Sequence, residues 1–273
     1  MDTRELKEKC RKIRIDIVNM VADAKSGHPG GSLSSVEIFV AIFNTQMKVD
    51  PKNPADPKRD RFVLSKGHCA PVYYATLCDL GFFDRAELKS LRKLGAMLQG
   101  HPVAKKIPGV DASTGSLGQG LSIATGMALG AKTAKSGVKV YAVCGDGELQ
   151  EGLIWEASMA AAHYKLDNLT LVVDNNGMQI DGTNDQVMSL GDIPAKFRAF
   201  GWNVIEVADG NDIEQIIAAL NQPPVDGKPK CIVAHTTKGK GVSFMEGQVG
   251  WHGKAPNDEQ RAAAVAELEA LEI

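Results

Sequence analysis

The sequence predicts an α/β protein of three layers, a mainly parallel sheet with helices on both faces. Two features carry that prediction. Strand-length apolar runs at 138–144, 168–174 and 231–236 are continuous rather than alternating, the pattern of strands buried on both sides. Segments with helical periodicity separate them, which is the order that builds a parallel sheet. With 273 residues, 44% of them hydrophobic, the chain can bury one large core.

The elements follow in order. Leu6, Cys10, Ile13, Ile17 and Met20 or Val21 recur at three- and four-residue steps and mark one face of a first helix. It must stop before SGHPGG at 26–31. A second helix is expected from Ser34 or Ser35 through VEIFVAIFNTQM, and VDPKNPADPKRD, with three prolines, is a surface loop. RFVLS is a short strand ending in KGH; APVYYATLCDLGFF and DRAELKSLRKLG then read as helices. The Gly- and Ala-rich stretch 118–137 reads as a helix suited to tight packing, and VKVYAVC as a strand. LQEGLIWEASMAAAHYK is a helix and NLTLVVD a strand; WNVIEV and CIVAHT are strands around the helix DIEQIIAALNQ. The tail DEQRAAAVAELEALEI is helical. With no repeat and no linker, residues 1–273 read as one domain with a C-terminal helical extension.

A net charge of −2 gives no general attraction to nucleic acid or to an anionic membrane. No window holds the roughly 18 consecutive apolar residues of a membrane span. The charged start MDTRELKEKC has no secretory apolar region. Five cysteines, odd in number and without a C-x-x-C, read as buried free thiols in a reducing compartment. A cytoplasmic location is the expectation.

In parallel sheets ligands bind at the carboxyl ends of the strands. The distinctive polar residues do follow strands: His68 after RFVLS, Asp146 after VYAVC, Asn175 and Asn176 after LVVD, His235 and Lys238 after CIVA. Gly145 and Gly147 flank Asp146 and permit close approach of another group. A helix N-terminus expected beyond them favours phosphate, whereas a carboxylate repels it unless a cation lies between. Asn176, from the next strand, supplies another hard oxygen, so a Mg²⁺- or Ca²⁺-bridged diphosphate fits the pair. Taken singly, Asp-Gly and Asn-Gly are also ordinary turn dipeptides.

Of six histidines, His28, His68, His101 and His252 lie in Gly-rich loops, which favours a shared site over four unrelated surface residues. Imidazoles suit proton transfer near neutral pH. Their spacing lacks the short pairs of a zinc site, and no cysteine assists. His163, on a helix, and His235 read as structural. Lys238 suits an anion but is also compatible with a plain surface lysine.

GDGELQEG, followed about thirty residues later by DNNGMQIDG, resembles the thiamine diphosphate motif of transketolases. SGHPGGSLS, LSKGHCAP, GHPVAKKIPGVDASTGSLGQG, TTKGKG and GWHGKAP resemble transketolase segments in the same order. The resemblance covers the N-terminal third to half of a full transketolase; the pyrimidine-binding and C-terminal domains are absent. It implies the three-layer thiamine diphosphate-binding fold and the N-terminal subunit of a split enzyme. That enzyme would move a two-carbon ketol unit from a ketose phosphate to an aldose phosphate.

The resemblance also assigns roles. His28 and His252 would face the substrate hydroxyl and carbonyl, His101 the ketose end, and His68 the diphosphate and reacting carbons. Gly115, Leu117, Gly145, Gly147 and Lys238 would contact the cofactor. Asp146, Asn176 and the Met178 carbonyl would bind Mg²⁺, with Ca²⁺ or Mn²⁺ as substitutes. Glu151 would couple to the partner's activating glutamate; without the family it is only a carboxylate at a helix N-terminus. An α₂β₂ assembly with a C-terminal transketolase subunit is implied, with Glu151 and helix 118–135 near the interface. Three rivals stand beside this. They are a 1-deoxyxylulose-phosphate synthase-like half, a catabolic enzyme of the same chemistry on another sugar, and a non-catalytic scaffolding subunit.

Overall fold

The computed structural model describes all residues, Met1–Ile273. Helix α1 (Thr3–Ala24) opens with a capping box between Asp2 and Glu5 and ends where Lys25 turns left-handed, φ 51°. It buries Leu6, Cys10, Ile13, Ile17, Met20 and Val21, the face expected from their spacing.

The second helix departs from expectation. It begins earlier, as α2 (Pro29–Ser34), is interrupted at Ser35, and resumes as α3 (Val36–Ala41) with a π turn, Ile42–Gln46. Pro29 is tolerated because the first helical turn has no use for its N–H. The following glycines are needed for contact: a Cβ on Gly30 would lie 2.9 Å from the Trp251 carbonyl, and one on Gly31 2.8 Å from Cys69 Sγ.

Strand β1 (Arg61–Leu64), a 3-10 turn (Gly67–Cys69) and α4 (Ala70–Asp79) follow. The expected helix over 84–95 is only a 3-10 turn, Arg85–Ser90. Leu88 and Leu91 are buried, but Leu94 is fully exposed, and Arg92 at φ 60° ends the helical path. Next come α5 (Gln119–Thr133), β2 (Val140–Gly145), a 3-10 turn (Gly147–Gln150), α6 (Gly152–His163) and β3 (Leu169–Asn175). A small hairpin, β4 (Met178–Gln179) with β5 (Gly182–Thr183), and helices α7 (Asn184–Val187) and α8 (Ile193–Ala199) carry no clear sequence signal. The chain closes with β6 (Asn203–Val207), α9 (Ile213–Asn221), β7 (Lys230–His235) and α10 (Asp258–Glu269).

The sheet order is β1-β2-β3-β7-β6, parallel throughout. Alternate residues serve opposite faces. Phe62, Leu64, Tyr141 and Val143 join one core with α1, α3, α4 and α9. Val63, Val140, Ala142 and Cys144 join the other with α5, α6 and α8. That division is the three-layer architecture. Gly120 lets α5 press on the end of β1, since a Cβ there would lie 2.5 Å from Ser65 Cα. The C-terminal helix α10 is bound to α1, through Arg261 to Asn19 and Asp23 at 2.7 Å each. All five cysteines are free and buried. No helix is long and apolar enough to cross a membrane.

Candidate active site

The loops at the carboxyl ends of β1, β2, β3 and β7 enclose a cavity of about 360 Å³. Parallel pairing sets Gly145 opposite Asp174, so the residues after β2 meet those after β3. Asp146 accepts from the backbone N–H of Gly147 at 2.8 Å and from that of Gly177. Asn176 Oδ1 accepts from Met178 N at 3.2 Å, and its Nδ2 donates to Asp174 at 3.2 Å. Lys238 Nζ donates to the Met178 carbonyl at 3.2 Å and lies 2.9 Å from His252 Nδ1. Asp146, Asn176 and Met178, three sources of hard oxygen, thus line one cavity together with the buried Lys238 ammonium. Burial, and then the Asp174 charge, push the Asp146 carboxyl up to about 6, the response of a site short of positive charge.

The helix expected from Leu149, shortly after Asp146, starts later. The Gly147–Gln150 3-10 turn intervenes, and α6 begins six residues after Asp146 with Glu151 at its N-cap. Glu151 is exposed, at the cavity rim.

His28, His68 and His252 form a triangle with ring centroids 5.1, 5.3 and 5.4 Å apart. Burial lowers all three; next in weight come the His68 ring and Arg92 at His28, Lys66 at His68, and Lys238 at His252, so that His28 and His68 fall to about 4 and His252 to about 3. All three are neutral at pH 7. Lys238 donates to His252 Nδ1, which leaves the His252 proton on Nε2. His101 stands outside the triangle, exposed, with its ring against Gly115; burial and then Arg92 lower its pKa. Neither His163 nor His235 lines the cavity. His163 lies against Tyr164 on α6, and His235 ends β7 beside Asn175 at 3.3 Å.

Beneath the cavity lies a polar foundation absent from the sequence reading. Asp174 is fully buried and accepts from Lys66, Ser34 (2.6 Å), Ser35 (3.0 Å), Asn176 and Thr236. Burial alone would raise this carboxyl; Lys66 and the hydroxyls outweigh it and hold it low. Lys66 uses its other donors on the Gly31 carbonyl (3.0 Å) and Ser35 (2.6 Å). Buried Glu148 ties three segments together, accepting from Ser65, Gly118 N (2.8 Å) and Gly145 N (3.1 Å).

A larger cleft, about 570 Å³, lies at the opposite, amino ends of the strands. Two of its four lysines are engaged structurally: Lys230 donates to the Leu220 and Gln222 carbonyls at 3.0 and 2.6 Å, and Lys132 to Lys165 O and the Asp167 carboxylate. Those partners are helix-end and turn carbonyls and one carboxylate, an ordinary structural use of lysine; Asp146 and the three histidines line the smaller cavity instead.

Comparison with known families gives a match over residues 6–269 to the family described as transketolase, thiamine diphosphate binding domain. The chain belongs to this family. It is 44% identical to one subunit of the apulose-4-phosphate transketolase of Phocaeicola vulgatus, over 98% of this chain and 95% of that one. It is 42% identical to the 6-deoxy-6-sulfo-D-fructose transketolase subunit SqwG of a Clostridium species, over 97% and 96%. The solved structure of the transketolase from Leishmania mexicana superposes with a TM-score of 0.93 at 33% identity, covering 98% of this chain but 42% of that one. The fold is therefore that of the thiamine diphosphate-binding part of a transketolase.

Within that fold the cavity wall includes His28, His68, Gly115, Leu117, Gly145, Asp146, Gly147, Glu151, Asn176, Met178, Lys238 and His252. Of the residues expected at the site, only His101 is outside the wall. Lys66, Glu148, Gln150, Gln179 and Ile180 line it as well and were missed. Lys66 sits in KGH, two residues before His68, which the glycine-rich setting singles out. Glu148 lies two residues from Asp146, where its role is indistinguishable in sequence from a helix-start acid.

Proposed function

We propose that this chain is the thiamine diphosphate- and metal-binding subunit of a two-chain transketolase. The observation that carries the reading is the set of three oxygens, from Asp146, Asn176 and the Met178 carbonyl, beside a triangle of neutral imidazoles. The oxygens suit a hard divalent cation, which takes carboxylate, amide and carbonyl donors and completes its shell with phosphate and water. The fit is supported by Lys238, whose ammonium already rests on the Met178 carbonyl at 3.2 Å, so that oxygen is turned toward positive charge. Mg²⁺ is the proposed ion, with Ca²⁺ and Mn²⁺ able to replace it.

When bound, thiamine diphosphate supplies a nucleophilic carbon able to carry a two-carbon ketol unit. The chain's own groups do the rest. Asp146, Asn176 and Met178 hold the cation, and Lys238 adds the positive charge a diphosphate needs. His28, His68 and His252, neutral through burial, can each donate or accept a proton at the substrate oxygens. His252 offers its Nε2–H because Lys238 occupies Nδ1. His101, at the rim, would bond the ketose end. Gly115 and Leu117 would leave room for the pyrimidine ring, and exposed Glu151 would meet the partner.

Two lengths support a partner. The chain matches about 42% of a full transketolase chain, whereas relatives of its own size are named as subunits. An α₂β₂ assembly is proposed, with a C-terminal transketolase subunit bringing the pyrimidine-binding domain and the groups that grip a sugar phosphate. A second reading concerns the sugar. The two full-length relatives are named for apulose 4-phosphate and 6-deoxy-6-sulfo-D-fructose, which favours a catabolic donor over the common pentose phosphates. Ketol transfer from a panel of ketose phosphates, assayed with this chain, its partner and both, tests the proposal. Transfer is expected only from the mixture. Transfer by the pure chain would refute the split-site reading. Asp146→Ala in the mixture should abolish transfer; unchanged function would favour a scaffold.

A further inference from the structure

An acid in an apolar helix raises a question that the site described so far does not answer. Glu37 lies in α3, VEIFVA, every residue of which is buried, and is itself 5% exposed. A carboxylate there is unfavourable unless it is paired and hydrogen-bonded. Its partners are specific. Glu37 Oε2 accepts from Arg14 Nη2 at 2.7 Å and from Asn211 Nδ2 at 3.1 Å.

Both partners also grip one other segment, the loop that follows β7. Asn211 Oδ1 accepts from the backbone N–H of Thr237 at 2.8 Å, and Arg14 Nε donates to the carbonyl of Lys240 at 3.0 Å. Lys238 lies between these two points. The loop is held a third time where Gly239 N donates to the Gly30 carbonyl at 2.9 Å. Asn211 Nδ2 also donates to the Ser34 carbonyl at 3.0 Å, which ties the same unit to the end of α2. Glu37 therefore fixes two side chains, and those side chains fix the loop on either side of the lysine.

We propose that Arg14, Glu37 and Asn211 form a positioning unit whose task is to hold Lys238 over the Met178 carbonyl, ready for the diphosphate. The assignment rests on the reading of that cavity as a diphosphate site. None of the three lines the cavity; their two grips on the loop bracket Lys238, and that is the route the assignment takes. A long, flexible lysine is a poor fixed charge; clamping its backbone on both sides restricts where the ammonium can go, and a preorganised cation binds an anion more tightly.

The experiment is a double-mutant cycle on the full chain, with Mg²⁺ and inorganic pyrophosphate as the probe, read by calorimetry well below the unfolding temperature. Asn211→Ala removes the grip on Thr237. Arg14→Lys keeps a charge for Glu37 and removes the Nε grip on Lys240, so the two variants test the clamp at separate ends. Each is expected to weaken pyrophosphate binding about fivefold to tenfold in the otherwise unchanged chain. In a Lys238→Met background each is expected to weaken it less than about twofold, because residues that act through one group are coupled rather than additive. A purely structural trio gives the opposite result: lower unfolding temperatures with no change in affinity, or a loss of affinity that persists in Lys238→Met. Either outcome overturns the positioning role and leaves the site reading intact. Failure of the unaltered chain to bind pyrophosphate with Mg²⁺ would overturn the site reading, and this assignment with it.

Discussion

Lys66→Met tests the foundation of the site. Lys66 and Asp174 form an ion pair with side chains 2% and 0% exposed. Removing one member of such a pair strands the other charge and costs about 3–5 kcal/mol. Asp174 keeps Ser34, Ser35, Asn176 and Thr236 as donors, which places the loss toward the lower end. For 273 residues, at about 2.1 cal/mol/K of unfolding entropy per residue, that is a drop of about 5–9 °C in Tm. The sign of the pH dependence is diagnostic. In the intact protein the Asp174 carboxyl is held low, so its contribution is present above the ordinary carboxyl range and lost as pH falls. Without Lys66, burial raises that carboxyl instead, and the deficit of the variant should be greatest near pH 7 and shrink toward pH 4. Lys66→Met/Asp174→Asn should recover most of the loss, since it leaves no charge behind. Urea and thermal unfolding at pH 5 and pH 7.5 measure both effects. A loss below about 1 kcal/mol, or one equal at both pH values, would refute the argument.

Other outcomes follow from the same geometry. Asp146→Ala should weaken Mg²⁺-dependent thiamine diphosphate binding by at least about 100-fold, beyond the 10–100-fold typical of a residue that only supports a ligand, as read by calorimetry. The histidine triangle makes the ligand-free chain acid-sensitive. His28, His68 and His252 have lowered pKa values, about 4, 4 and 3, so their stabilisation is full above about 6.5 and is lost as pH falls toward 4. Asp146, raised to about 6, acts in the opposite sense between about 4 and 6, but one carboxyl against three imidazoles leaves Tm rising with pH over that window. NMR titration of the ring resonances should show no protonation of the three above pH 5. Gly126 and Gly130 are exposed on α5, with open space where a Cβ would go. Alanine at either should stabilise the isolated chain by up to about 1 kcal/mol, and weaken association if α5 meets the partner; equal affinity for the partner would remove α5 from the interface.

Most of the architecture was legible because the core strands are apolar on both faces, a pattern that local sequence displays directly. The errors fell where tertiary contact overrides local preference. PGGSLS looks like a loop, yet it is helical because Gly30 and Gly31 fit against Trp251 and Cys69, contacts made across the whole chain. DRAELKSLRKLG has a helical composition, but only Leu88 and Leu91 find a core, and Arg92 turns away. At the site, the residues flanked by glycine stood out: Asp146, His28, His68, His252. Lys66, Asp174 and Glu148 did not, because an ion pair spanning 108 positions leaves no local trace. Asp174 was seen only as the end of a strand.

The most direct test is a calorimetric titration of the purified chain with thiamine diphosphate and Mg²⁺, alone and with a C-terminal transketolase subunit. The proposed shared site predicts metal-dependent binding that the second subunit tightens strongly, and that Asp146→Ala eliminates. Absence of binding under both conditions would contradict it, and would leave the three oxygens and the imidazole triangle as a fold without its cofactor chemistry.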